Sequence, residues 1–245
     1  MEEFDNPEKH ITSVAKFLEI KHKLLNTSDI NSGKWMFRGV KRYEYGLIPS
    51  IGRLTQKQNK IFKSKQKLFE FEKSAFAEFC INVYNDLREN NQFNLLAVAQ
   101  HHGLKTRLLD WTLFPLVALF FAVEDKDCFE QDAALYAFQT QFVFNDFKKL
   151  TTPFHEDLDE YHFLFAPDLT QRIKALQGVF QLFKDPTKEF TEGYNLMKFR
   201  IPSKNKIEIK RDLNDLGISY KTVYPDFDGL CWTINYNKLC IDQAK

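Results

Sequence analysis

Apolar side chains recur along the chain at two spacings, and the spacing sorts most of the length into helices and strands. Ile11, Val14, Leu18 and Leu25 stand at helical intervals, which predicts a helix over 8–25. Lys34–Val40 (KWMFRGV) is short, aromatic and strand-like, and 43–53 reads as an irregular loop pinned by Leu47 and Ile51. The longest helical signal covers 57–89, with Ile61, Leu68, Phe71, Ala75, Phe79 and Tyr84 near one stripe and mixed Lys and Glu opposite. A second helix over 93–102 stops at Gly103, a natural left-handed end. Residues 105–109 then read as a strand and 110–112 as a sharp turn, before a buried helix that Pro115 opens and that runs to Glu124.

Ala133–Thr140 reads as a central strand, and 141–168, polar and aromatic by turns, as an insertion or lid. A helix over 170–175, the strands Gly178–Phe183 and Leu196–Ile201, and a helix between Ser203 and Gly217 complete the pattern, with a last apolar segment after Tyr224-Pro225-Asp226. Helices and strands alternate without a regular βαβ repeat. The expected fold class is therefore α+β, a mixed central sheet flanked by helices. No linker cuts the chain, so the expected organisation is an N-terminal helix over 1–30 and one domain over 31–240.

Composition narrows the class. The 245 residues suffice for one core without staples. The net charge of +1 argues against a strongly basic nucleic-acid binder and leaves a local basic face open. Phe alone contributes 25 residues, more than a soluble surface can carry, so much of it is core. Cys80, Cys128, Cys231 and Cys240 are too far apart for a zinc cluster or a dense disulfide framework, which suggests reduced thiols. The opening MEEFDNPEKH lacks the apolar stretch of a secretory signal, and the most apolar run, 113–123, is far short of the roughly 20 residues that span a bilayer. The expectation is a cytoplasmic protein without a membrane partner.

Candidate chemistry gathers in three places. In Trp35-Met36-Phe37-Arg38-Gly39 a guanidinium at a strand end could clamp phosphate oxygens, with Gly39 allowing close approach; a surface ion pair is the plain alternative. The stretch from Gln100 to Thr112 concentrates His101, His102, Thr106, Arg107, Asp110, Trp111 and Thr112 in front of a rigid apolar helix. Helix capping by His102 and Thr112, and an ion pair between Arg107 and Asp110, explain the same residues without a ligand. Adjacent histidines rarely share a direction, so His101 and His102 point to hydrogen bonding, and no metal is expected. The third place is Gln177-Gly178, where a side-chain amide could meet a sugar hydroxyl or merely end a helix. There is no P-loop, GxGxxG or GxSxG.

Together these stretches resemble the FRG domain family. The resemblance runs through Phe37-Arg38-Gly39, Leu47-Ile48-Pro49-Ser50-Ile51, the stretch 99–112, Pro115, Ala118 and Phe120-Phe121-Ala122. It continues through Gln177-Gly178-Val179-Phe180 and Tyr224-Pro225-Asp226, over roughly residues 30–235. A second likeness, to the order of Arg, Ser-Thr-Ser and Glu in ADP-ribosyltransferases, implies that fold and NAD as a substrate. In it Arg38 matches the phosphate-binding arginine, Thr112 or Thr106 the ribose-supporting hydroxyl, and Gln177 the acidic position. The triplet is replaced here by Leu-Asp-Trp-Thr and Gln177 carries no charge, which leaves Asp110 to stabilise an oxocarbenium-like transition state.

The expected catalytic residues are thus Asp110 and Gln177, with Arg38, Gly39, His102, Thr106, Arg107, Trp111 and Thr112 around the ligand. The activity this implies is NAD-consuming transfer or hydrolysis in a bacterial toxin or phage-defence setting. The alternatives are a module that binds a nucleotide, dinucleotide or nucleic acid without turnover, and a scaffold whose polar network only locks the core.

Overall fold

The structure is a computed structural model that describes residues 9–27, 34–54, 62, 64–87, 89, 91–124, 130–140, 152–156, 158–165, 170–191 and 196–241. Six strands form one sheet: β1 (Lys34–Val40), β2 (Leu108–Thr112), β3 (Ala133–Thr140), β4 (Tyr161–Phe165), β5 (Gly178–Phe183) and β6 (Leu196–Ile201), in the order β4-β5-β2-β1-β3-β6. Every strand pair is antiparallel. The fold class is α+β as expected, and the sheet is antiparallel where a mixed one was expected.

Helices α1 (Val14–Thr27), α2 (Lys65–Val83), α3 (Gln92–His101), α4 (Pro115–Val123), α5 (Gln171–Leu176), α6 (Lys206–Asp215), α7 (Tyr220–Val223) and α8 (Phe227–Tyr236) surround it. No helix among the described residues is long and apolar enough to cross a membrane.

One sheet face is covered in two halves. Helix α4 is apolar all round because it is enclosed by Phe37 and Leu135 of the sheet, Phe17 of α1 and Ile209 of α6. Gly39 fixes how closely β1 lies on it, since a Cβ there would stand 1.9 Å from the Ala118 carbonyl oxygen. The other half packs Phe76 of α2 and Leu96 of α3 onto Leu108, Phe180 and Leu182. The opposite face carries Met36, Trp111 and Phe138 beneath Leu47 and Phe190 from the flanking loops.

The differences from the pattern reading have physical causes. Strand β2 covers Leu108–Thr112, so the expected turn at 110–112 is extended backbone; Asp110 is exposed between buried neighbours because its side faces an opening. Strand β4 lies inside the expected insertion 141–168, at the sheet edge, while 141–151 fall outside the described residues. In α1 the buried stripe is Val14, Phe17 and Ile20, with Leu18 turned outward.

In α2 the buried positions are Leu68, Glu72 and Phe76, spaced four apart, while Phe71 and Tyr84 are exposed. Glu72 is buried because Arg107 comes to it. The Arg107 main-chain N–H donates to Glu72 Oε1 at 2.8 Å, and Nε and Nη2 reach the carboxylate at 2.8–3.2 Å. Nη1 donates to the Phe183 and Lys184 carbonyls, and the Phe154 ring lies 4.7 Å from the guanidinium. Burial pushes the Glu72 carboxyl upward, and Arg107 opposes that shift. The pair ties α2 to the start of β2 and the end of β5.

Removing one partner of such a pair leaves a buried charge without compensation. Glu72→Ala is expected to lose about 3–5 kcal/mol of unfolding free energy in urea, and Glu72→Met with Arg107→Leu to recover most of that loss. A Glu72→Ala midpoint equal to wild type would show that the pair does not hold these elements together.

Candidate functional site

The sheet is not continuous at its centre. Strands β1 and β2 share one paired position, Phe37 with Thr112, although β1 runs on to Val40 in full register with β3. Beyond that rung the two strands part. Arg38 stands at the point of parting and donates from Nη1 to the Asp110 main-chain carbonyl at 2.5 Å, with the Asp110 carboxylate 3.8 Å away. A guanidinium thus occupies the place where the β1–β2 ladder has stopped. Its side chain is 14% exposed and its Nε is buried without a partner. Burial lowers its pKa to about 10, against the pull of Asp110, so the group stays charged at neutral pH.

The parting opens a cleft of about 290 Å³. Its walls are Phe37, Trp111, Phe121 and Phe180, with Ile173 and Leu176 from α5. Its charged lining is Arg38, Lys41, Arg53 and Arg172 against Asp110 and Glu124, so cations prevail. Arg53 sits exposed at the mouth and donates from Nε to the Ile48 carbonyl at 2.8 Å. Glu124 ends α4, accepts from the Tyr224 hydroxyl at 2.7 Å, and is pushed upward by burial. A smaller hollow of about 210 Å³ shares Arg38, Arg53, Gln100 and Asp110 with the main cleft.

Asp110 is aimed by a relay. The Ser50 hydroxyl accepts from the Thr106 N–H at 3.1 Å, the Thr106 hydroxyl donates to Gln100 Oε1, and Gln100 Nε2 donates to Asp110 Oδ1 at 2.6 Å. Each donor settles the orientation of the next acceptor, so the carboxylate is presented from a fixed amide. His101, the last residue of α3, lines the cleft next to this relay. Its pKa falls to about 4, first through desolvation and then through Arg172, so it is neutral near pH 7.

The expected site residues divide. Arg38, Gly39, Asp110, Trp111 and Thr112 line the cleft together. Trp111 is buried with its indole N–H on Gln181 Oε1 at 2.9 Å, and the Thr112 hydroxyl bonds the Leu176 carbonyl and the Phe114 N–H, so both build the wall. Gly39 serves α4 as well as the cleft. Thr106 is fully buried and reaches the cleft through Gln100, while its hydroxyl also accepts from the Leu108 N–H.

Three expectations are corrected. Arg107 points into the core to Glu72, since a buried carboxylate attracts it more than a solvated opening does. His102 is exposed, caps α3 through its main chain, and touches the cleft only by way of its edge-on contact with His101 at 4.7 Å. Gln177 is exposed and does not line the cleft. It ends α5 in the left-handed conformation (φ 40°), which turns its side chain out while Gly178 enters the lining. The strand after it pairs with β2.

The pattern reading missed Arg53, Glu124 and Arg172. A cation beside the Gly52 turn, and the acid that closes an otherwise apolar helix, were the available signals.

Among the described residues no group of three or more His, Cys, Asp or Glu is placed to hold a metal.

The titration of His101 gives a direct check. Below its ordinary 6.5 the unfolded chain takes up a proton that the folded protein refuses until about 4, so His101 stabilises the fold above that window and the contribution is lost as pH falls through it. The His101 imidazole resonance is expected to titrate near 4 in the folded protein, and His101→Gln to flatten part of the decline in Tm over this range. A midpoint at 6.5 would contradict the desolvated placement.

Two comparisons return no relative: neither a curated protein nor a solved structure matches the chain. The FRG domain model matches residues 33–131, a narrower span than the roughly 30–235 over which the motifs were read. That span carries β1, Arg53, the Gln100–Asp110 relay and α4, and with them both strands that part at Arg38, so this chain carries an FRG domain.

Proposed function

We propose that the cleft binds a nucleotide, with phosphate oxygens on Arg38 and Arg53 and the base and ribose against Phe121, Phe180 and Leu176. The observation that carries this reading is the pair of guanidiniums at the parted strands. Arg38 spends one N–H group on Asp110 and Arg53 one on Ile48, which leaves the remaining in-plane donors for an anion. A volume of about 290 Å³ lies at the lower end of small-ligand pockets, roughly 300–1,000 Å³, which suits a mononucleotide-sized body better than a polymer. Nucleic acid would then enter, if at all, by a terminal nucleotide.

A second reading is turnover of NAD by cleavage of the nicotinamide–ribose bond, and Asp110 is its support. The carboxylate stands 58% exposed in the same cleft, held by Gln100, where it would face positive charge developing on a ribose. With Gln177 outside the cleft, Asp110 and Glu124 are the acidic groups left to such chemistry. The toxin and phage-defence settings belong to this reading alone.

Calorimetric titration with ADP tests the first reading. Wild type is expected to bind, and Arg53→Ala, a change at an exposed position, to weaken binding about tenfold or more, the scale of a charge-assisted hydrogen bond. Absence of ADP binding, or binding indifferent to Arg53→Ala, would refute it. Release of free nicotinamide from NAD by wild type, abolished in Asp110→Asn, selects the second reading.

A further inference from the structure

The cleft holds one more guanidinium, and its surroundings differ from those of the other two. Arg172 lines the cleft from the first turn of α5. Its guanidinium carbon lies 4.2 Å from the centroid of the Tyr224 ring. That ring is itself held, with its hydroxyl on Glu124 Oε2 at 2.7 Å and an edge-on contact with Trp232 at 5.3 Å. Among the described residues Arg172 donates no hydrogen bond and has no carboxylate within ion-pair distance. Stacking uses the face of a guanidinium and leaves its edge, with five N–H groups, for an acceptor. Glu124 feels its charge, and Tyr224 already occupies one of the Glu124 oxygens. A half-buried cation with an unused donor edge, set over an aromatic ring in the cleft wall, is arranged for an anion.

This position is separate from the Arg38–Arg53 end. Arg38 and Arg53 also line the smaller hollow beside the cleft, whereas Arg172, on α5, lines the main cleft and not that hollow. The cleft that all three arginines line is walled by Phe121, Phe180, Ile173 and Leu176. An occupant that satisfies both positions needs two separate anionic groups and a flat body that can lie against these rings.

We infer that Arg172 is a second anion-binding residue and that the ligand of the cleft is a nucleoside phosphorylated at two separate positions of its ribose, one phosphate on Arg38 and Arg53 and the other on Arg172. This rests on the nucleotide reading above and adds the substrate class. The neutral imidazole of His101, which lines the same cleft, fits the arrangement, since a further cation there would repel the three guanidiniums.

The test compares two probes by calorimetry: adenosine 5′-monophosphate, and the adenosine bisphosphate with phosphates on the 3′ and 5′ oxygens. Wild type is expected to bind the bisphosphate about tenfold tighter or more. Arg172→Gln is expected to erase that advantage while binding the monophosphate as wild type does, and Arg172→Lys to keep part of it. Arg53→Ala is expected to weaken both probes. Equal affinity of wild type for the two probes would overturn the assignment of Arg172 while the monophosphate still supports the nucleotide reading. So would an Arg172→Gln variant that loses both probes by the same factor, the behaviour of a residue that only supports Tyr224. If neither probe binds, both readings fall together.

Discussion

Everything at this site depends on a ladder that stops and on the side chain that takes its place. After the Phe37–Thr112 rung, β1 stays with β3 and β2 stays with β5, so the sheet keeps its outer pairings and loses its central one. Main-chain carbonyls exposed by such a parting need donors, and Arg38 supplies one to Asp110. The same guanidinium is charged, desolvated and only partly engaged, which makes the structural stitch and the proposed anion-binding group one side chain. An apolar residue here would leave the carbonyl bare, and a continued ladder would leave no cleft.

The elements on either side are held firmly enough to keep the strands apart. Gly39 lets β1 lie directly on α4, and the Lys206 and Lys210 ammonium groups, both buried in α6, donate to the carbonyls of Lys41 and Glu124 where β1 and α4 end. On the other side Arg107 and Glu72 tie α2 to β2. These contacts lie behind the cleft walls, so the opening is framed by packed elements on both sides. The C-terminal helices take part as well, because Tyr224 from the end of α7 positions both Glu124 and Arg172.

Two arginines exchanged the roles expected of them. Arg107, in the densest polar stretch of the sequence, is a core residue, and Arg53, in a stretch read as a loop, stands at the mouth of the cleft. The stripe assigned to the long helix contained the clue: it placed Phe71 and Tyr84 inward, whereas the buried row is Leu68, Glu72 and Phe76. A glutamate in that row has no apolar signature, so periodicity alone rotates the helix away from it and leaves Arg107 without its partner.

Local pattern determined much of this protein by itself. The bounds of β1, β3, β5 and β6, the stop at Gly103 and the start at Pro115 follow from residue type and spacing, because alternation, left-handed glycine and N-terminal proline act within a few residues. The convergence of Arg38 and Asp110 was also legible, since each sits in a dense polar motif beside rigid neighbours. Tertiary structure alone decided where the sheet parts, that Asp110 is strand and not turn, that Gln177 turns outward at a left-handed helix end, and that Arg53, Glu124 and Arg172 join the site. The parting and the Glu124–Tyr224–Arg172 corner are set by partners distant in sequence, 72 residues for Arg38 with Asp110 and 100 for Tyr224 with Glu124, and a pairing of that kind leaves no periodic trace in the chain that makes it.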